Sequence, residues 1–438
     1  MKALNHKIIV SLILIVLFFI FFLLSVPYYS GDVRNHIFWG ELILDEGPAG
    51  FYQKDMGIWS YPNYPPVSML SFAATVWLYR LTDSLFWNLN NLQLFPSTLI
   101  PWLESPNVYI AFLKIPATIP FLLSGAFIFA FSRLFRKTLS QSIFQMLLFL
   151  FNPGLFYLVV VWGQNDFAQI LFIIGAFYFM VADYLHPQRT TASLITFKTF
   201  LAYIFASLSI LSKQTVLIVW TLFLLTVFKI RGIPQSVIAV TFSVVVLWIL
   251  YLPFNISGLV WPFTYYSETL KSTGFLVADN AINIWGLYSD YGQLDAGKNH
   301  FGLTYEHWGF LIFALLFLPL LIKYLKTKFS PELLFYFLFL TSVTYFFVFT
   351  RMHERYLFFG VIFAHLLFIV KRKYWPNLLF FSLFYFLNIY RGLLQPDFPL
   401  LVEFLKNRFY LNWMVVFYFA FLIYNYYCFM FKLKGPKQ

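Results

Sequence analysis

Residues 350–356 read Thr-Arg-Met-His-Glu-Arg-Tyr and set two arginines, a histidine and a glutamate between two apolar runs, 333–349 and 356–370. Ionisable side chains at the mouth of a hydrophobic helix are costly unless they face a cavity, a partner or water, so they mark a candidate site. Arg351 and Arg355 stand four residues apart, a helical spacing that lets both guanidiniums face one anion. The planar fork of arginine suits phosphate oxygens. His353 and Glu354 can pair with these arginines or with Lys213, which would make the group a structural ion network instead.

Three other polar stretches interrupt apolar sequence. Asp32 follows the first apolar run, and Asp32, His36 and Trp39 recur at close to helical spacing. A partly desolvated carboxylate there can take a proton from a hydroxyl as a general base, and the same position suits a helix N-cap. Trp162-Gly163-Gln164-Asn165-Asp166 offers two amides and a carboxylate, which can hydrogen-bond sugar hydroxyls or form a cap and turn. Lys213 lies between apolar runs with no acidic residue beside it in sequence. Its ammonium is either a counter-ion for phosphate or a side chain snorkelling to the interface. No sequence motif for zinc, redox chemistry, nucleotide hydrolysis or dinucleotide binding is present.

The elements that position these groups are helices in a membrane. Of 438 residues, 61% are hydrophobic, 23% aromatic and only 11% charged, a balance no soluble protein of this size could hide. The expected class is an all-α polytopic membrane protein of about twelve spans, with eleven to thirteen as the range. They fall near 7–27, 107–132, 141–160, 166–185, 197–212, 214–229, 234–252, 307–325, 331–349, 355–370, 375–390 and 410–431. The first run is too long for a signal peptide and reads as an uncleaved span. The net charge of +12 is scattered between spans, as topology signals and lipid contacts are, and does not point to nucleic acid. The lone Cys428 excludes an intrachain disulfide.

Lysine and arginine excess in cytoplasmic loops sets the orientation. Alternate connections carry 18 of the 30 basic residues, among them Lys2 and Lys7, Arg133 to Lys137, Arg189 and Lys198, Lys371 to Lys373, and Lys432, Lys434 and Lys437. Both termini are then cytoplasmic. Residues 28–106 form one long external loop with interfacial helices at 36–46 and 66–81, and residues 253–306 form a second external loop. The whole chain reads as a single transmembrane domain. All four polar stretches fall on the external side of this map.

In their order and shared side, these residues resemble the GT-C type integral membrane glycosyltransferases. Among these are the dolichyl-phosphate-glucose-dependent glucosyltransferases of asparagine-linked glycosylation and the bacterial mannosyl- and glycosyltransferases that use polyprenyl-phosphate sugars. The likeness is carried by Gly31-Asp32 with Trp39 and Glu41, by Tyr64-Pro65-Pro66, by residues 162–166, by His353-Glu354-Arg355, and by Asn280 and Asn283 before Trp285. Where the eukaryotic enzymes have His-Glu-Lys, this chain has arginine at 355, and their His-rich motif is absent, so the sugar and acceptor stay open.

The resemblance implies transfer, with inversion, of mannose or glucose from a polyprenyl-phosphate sugar donor to a lipid-linked glycan or other hydroxyl acceptor. It makes Asp32 the base, puts Arg351, Arg355, Lys213 and His353 at the donor phosphate, and puts Trp39, Glu41, Gln164, Asn165, Asp166, Asn280, Asn283 and Glu354 at sugar or acceptor. It requires no metal or other cofactor. Membrane lipids are the remaining partners, and the membrane is the plasma membrane in a prokaryote or the endoplasmic reticulum in a eukaryote. The alternative, a secondary transporter or lipid flippase, calls for inverted repeats and midplane charges; this sequence has no visible repeat, and its charges cluster at one interface.

Overall fold

The computed structural model describes residues 2–186, 195–254, 260–272, 275–289 and 294–433. Arg189, Lys434 and Lys437, members of the basic clusters above, lie outside the described residues. The described chain is all-α, with four two-residue strands: β1 (Ala278–Asp279), β2 (Asn299–His300), β3 (Leu303–Thr304) and β4 (Met352–His353). Among the described residues, eight helices are long and apolar enough to cross a membrane, or nine if the bent pair Leu139–Leu150 and Pro153–Trp162 counts as one span. On α1 (Lys2–Ser25), Leu12, Ile15, Val16, Phe19 and Leu23 stand exposed. Such an apolar surface is at rest only against lipid, and helices satisfy their own backbone there.

Seven of the twelve expected spans coincide with these helices, an eighth, 107–132, is matched only from Ile115 onward, and the others depart. Residues 141–160 bend by 55°. At the bend Asn152 caps a new helix and Pro153, lacking an N–H, takes its first position. Residues 197–212 and 355–370 become the helices Phe197–Ile210 and Phe358–Val370, of 14 and 13 residues. At a rise of about 1.5 Å per residue these reach only about 20 Å, short of a hydrocarbon core of about 30 Å. Residues 375–390 form Trp375–Leu393, which is not among the candidate spans.

In the first external loop, α2 (Gly31–Glu46) starts five residues earlier than expected and α3 (Pro66–Asn91) runs ten residues further. At 26 residues α3 is long enough to cross, yet it is not among the helices apolar enough to do so. Its buried residues, from Pro66 to Val76, are confined to its first half.

The chain packs as two compact units. The first comprises Met1–Phe127, Leu158–Trp220 and Val237–Leu270; the second comprises Ile128–Tyr157, Thr221–Ser236 and Lys271–Gln438. Within the first, α2 lies against α3 at Gly40, where a Cβ would sit 2.8 Å from the Phe72 carbonyl oxygen. The His36 ring stacks on Phe72 at 4.3 Å. Within the second, the core is the helix Pro331–Val348, 89% of it buried. There the Tyr336 hydroxyl and the Asn377 amide both donate to Asn425 Oδ1, at 3.0 and 2.8 Å, so the buried polar groups are satisfied.

Because Gly40 faces backbone rather than a movable side chain, Gly40→Ala should destabilise the protein by about 1–3 kcal/mol, the usual penalty of overpacking. The check is a lower melting temperature of the purified variant in detergent.

Candidate functional site

The first unit gathers three of the four polar stretches. The N-cap of α2 is Ser30, not Asp32: its hydroxyl accepts from the Val33 N–H at 3.4 Å and donates to the Trp162 carbonyl at 2.7 Å. Asp32, one residue into the helix and half-buried, is thereby freed from capping. Its Oδ2 instead accepts from the Trp162 indole N–H at 2.9 Å and the Gln164 amide at 2.5 Å. Acids are favoured in the first turn of a helix, and hydrogen bonds donated to a carboxylate favour its charged form.

Those donors are placed by an abrupt reversal. A π-helical turn, Tyr157–Trp162, ends at Gly163, whose φ of +78° is open to glycine. A Cβ at Gly163 would also strike Val33 Cγ2 at 2.7 Å and Lys114 Cγ at 2.8 Å. Gln164, Asn165 and Asp166 are all buried. Asn165 sits at the cap position of the next helix without a side-chain capping bond; its amide donates to Ser68 Oγ at 2.7 Å, and Ser68 donates on to the Ser212 carbonyl.

Lys213 corrects the sequence reading of a lone ammonium. It does not snorkel: it is buried and meets Asp166 Oδ1 at 2.9 Å, with the two side chains 4% and 0% exposed. Gln169 donates to the same carboxylate oxygen at 3.0 Å, and the ammonium lies 4.7 Å from the centre of the Tyr64 ring. Tyr64 of the Tyr-Pro-Pro segment thus reaches the cluster through its π face. Trp39 is buried and donates to the Ser60 carbonyl at 3.0 Å, and Glu41 accepts from Tyr109 at 2.6 Å.

One residue of this unit was missed. Residues 107–132, expected as one span, part at Lys114 into the helices Pro106–Phe112 and Ile115–Leu134. The Lys114 ammonium, fully buried, donates to the carbonyls of Ser25 (3.0 Å), Tyr28 (2.7 Å), Val160 (3.2 Å) and Val161 (3.1 Å). These oxygens close the end of α1 and the π-helical turn, where carbonyls lack helical partners. A lone charge inside an apolar run was the available signal.

The second unit holds the fourth stretch, and its conformation is not the helix that would align Arg351 with Arg355. Arg351 adopts a left-handed φ of +58° and its N–H bonds to the Val277 carbonyl at 3.0 Å. β4 then pairs in parallel with β1, Asp279 opposite His353. The two arginines consequently take different partners: Arg351 meets Glu306 Oε2 at 3.0 Å, and Arg355 meets Glu354 Oε1 at 3.1 Å. His353 Nδ1 lies 3.1 Å from Asp279 Oδ2.

That contact holds the Asp279 carboxyl below its ordinary range against the pull of burial. Burial pushes Glu354 the other way, up, with Arg355 and His353 opposing it. Asn280 receives Arg391 at its carbonyl (3.0 Å) and Oδ1 (3.2 Å). Asn283 is buried and occupied by the Trp285 N–H and the Phe346 carbonyl. Asn388, unforeseen, accepts from the Ile282 N–H at 2.7 Å and donates to the Glu354 carbonyl.

The cost of unpairing each buried cation is measurable. Lys114→Met orphans four buried carbonyls at about 1–3 kcal/mol each and should lower stability by at least about 4 kcal/mol, read as a melting shift. Lys213→Met should cost about 3–5 kcal/mol by leaving the Asp166 charge buried alone, whereas adding Asp166→Leu should recover most of the loss, as a double-mutant cycle would report.

No family model matches this chain, and no curated protein matches it.

Proposed function

We propose that this chain is an integral membrane glycosyltransferase of the GT-C type. It moves a hexose, mannose or glucose, from a polyprenyl- or dolichyl-phosphate donor to a lipid-linked glycan or other hydroxyl acceptor on the external face. The observation that carries the proposal is the Asp32 carboxylate, half-buried and oriented by Trp162 and Gln164 from a distant stretch of chain. A base fixed by hydrogen bonds is ready in position before the acceptor arrives, which is what proton transfer in a transition state rewards.

In the proposed reaction the acceptor oxygen attacks the anomeric carbon while its proton passes to Asp32. The bond between the anomeric carbon and the phosphate oxygen breaks, and polyprenyl phosphate leaves with the electron pair, inverting the configuration. Stabilising the departing phosphate falls to cationic side chains, for which Arg351, Arg355 and His353 are the candidates. The Lys213 ammonium, already matched by Asp166, serves the Tyr64 and Gln164 to Asp166 region as a buried counter-charge.

Asp32→Asn keeps the shape of the side chain and removes the base. In reconstituted membranes it should cut transfer from a labelled polyprenyl-phosphate sugar by about 10²–10⁴-fold while leaving the melting temperature near that of the parent. Full transfer activity in this variant would remove Asp32 from the chemistry.

A further inference from the structure

In the second unit, Asp279, His353 and Glu354 come from stretches far apart in sequence. Their ligand-capable atoms nevertheless lie within 4.8 Å of one another. We propose that these three side chains form a binding site for one divalent first-row transition ion.

The three groups are held by backbone as well as by side-chain contact. The parallel pairing of β1 with β4 sets Asp279 opposite His353, and Asn280 bridges to His353 again from the following position. Glu354 comes next in the chain, and its backbone is tied by the Asn388 amide to the helix Trp375–Leu393. The set is therefore built before any ion arrives, as a site with good affinity requires.

The donor set selects the kind of ion. Two carboxylate oxygens supply two negative charges against a divalent cation, and one imidazole nitrogen favours zinc, manganese or iron over magnesium and calcium, which prefer all-oxygen shells. Three protein ligands are fewer than the four or more that such ions take, so coordination positions would remain for a water or a substrate oxygen. Glu354 is 2% exposed with one guanidinium at 3.1 Å. An arriving ion would sit between His353 Nδ1 and Asp279 Oδ2, which lie 3.1 Å apart.

The site includes His353, which the proposed function gives to donor phosphate, but it stands or falls on metal bound and not on turnover. The test uses full-length protein in detergent, stripped with a chelator, dialysed against Mn²⁺ or Zn²⁺ and assayed for metal per chain alongside its melting temperature. The expected result is about one ion per chain and a melting temperature raised by the ion, with Asp279→Asn and Glu354→Gln each weakening binding by more than about 10-fold. Asp279 is partly exposed and its isosteric change spares the fold, so that variant remains informative where a buried Glu354 substitution unfolds the protein. Absence of metal above a buffer control, or binding and melting shifts unchanged in Asp279→Asn, would overturn the site.

Discussion

The first unit's polar centre hangs on a buried ammonium. Lys114 carries three N–H donors into an apolar interior and spends them on four backbone carbonyls, two at the end of α1 and two in the π-helical turn before Gly163. Neither partner costs as little alone: an unpaired ammonium in low dielectric is expensive, and so are carbonyls at buried helix ends. Satisfied together, they hold two chain segments at a fixed distance. Trp162 and Gln164 follow directly from one of those segments, and Ser30 and Asp32 from the other, so the hydrogen bonds on the Asp32 carboxylate inherit their geometry from Lys114.

Buried ion pairing recurs in both units with different consequences. In the first, Lys213 and Asp166 are matched one to one and covered by the Tyr64 ring, an arrangement that fixes register more than it adds stability. In the second, Asp279 and His353 face each other across a short parallel strand pair, and Glu354 follows with one guanidinium alongside. There the environment pulls the two carboxyl groups apart, Asp279 towards acidity and Glu354 away from it. Carboxyl groups separated in this way are a common sign of a functional site.

The all-α membrane class was legible because composition and hydrophobic run length report directly on the solvent. The number of spans was not. Apolar runs near 200 and 362 look like spans, yet they fold as helices of 14 and 13 residues, the second buried almost throughout, and hydropathy does not distinguish a lipid-facing helix from a core helix. The polar stretches were legible as interruptions, and Asp32, residues 162–166 and Lys213 do meet. Their pairing was hidden because it depends on distance through space: Lys213 had no acid beside it in sequence, and Asp166 reaches it only after the chain reverses. Helical spacing misled at Arg351, where a left-handed residue and a strand pairing replace the helix. Lys114 and Asp279 went unread because each is a single polar residue whose importance comes from what the fold packs around it.

The most direct measurement is donor consumption. Purified protein in lipid nanodiscs, incubated with a panel of polyprenyl-phosphate hexoses and an extract of lipid-linked acceptors, would be followed by mass spectrometry. Glycosyl transfer predicts that one hexose donor disappears as polyprenyl phosphate and an acceptor heavier by one hexose appear together. Every donor remaining intact would contradict it.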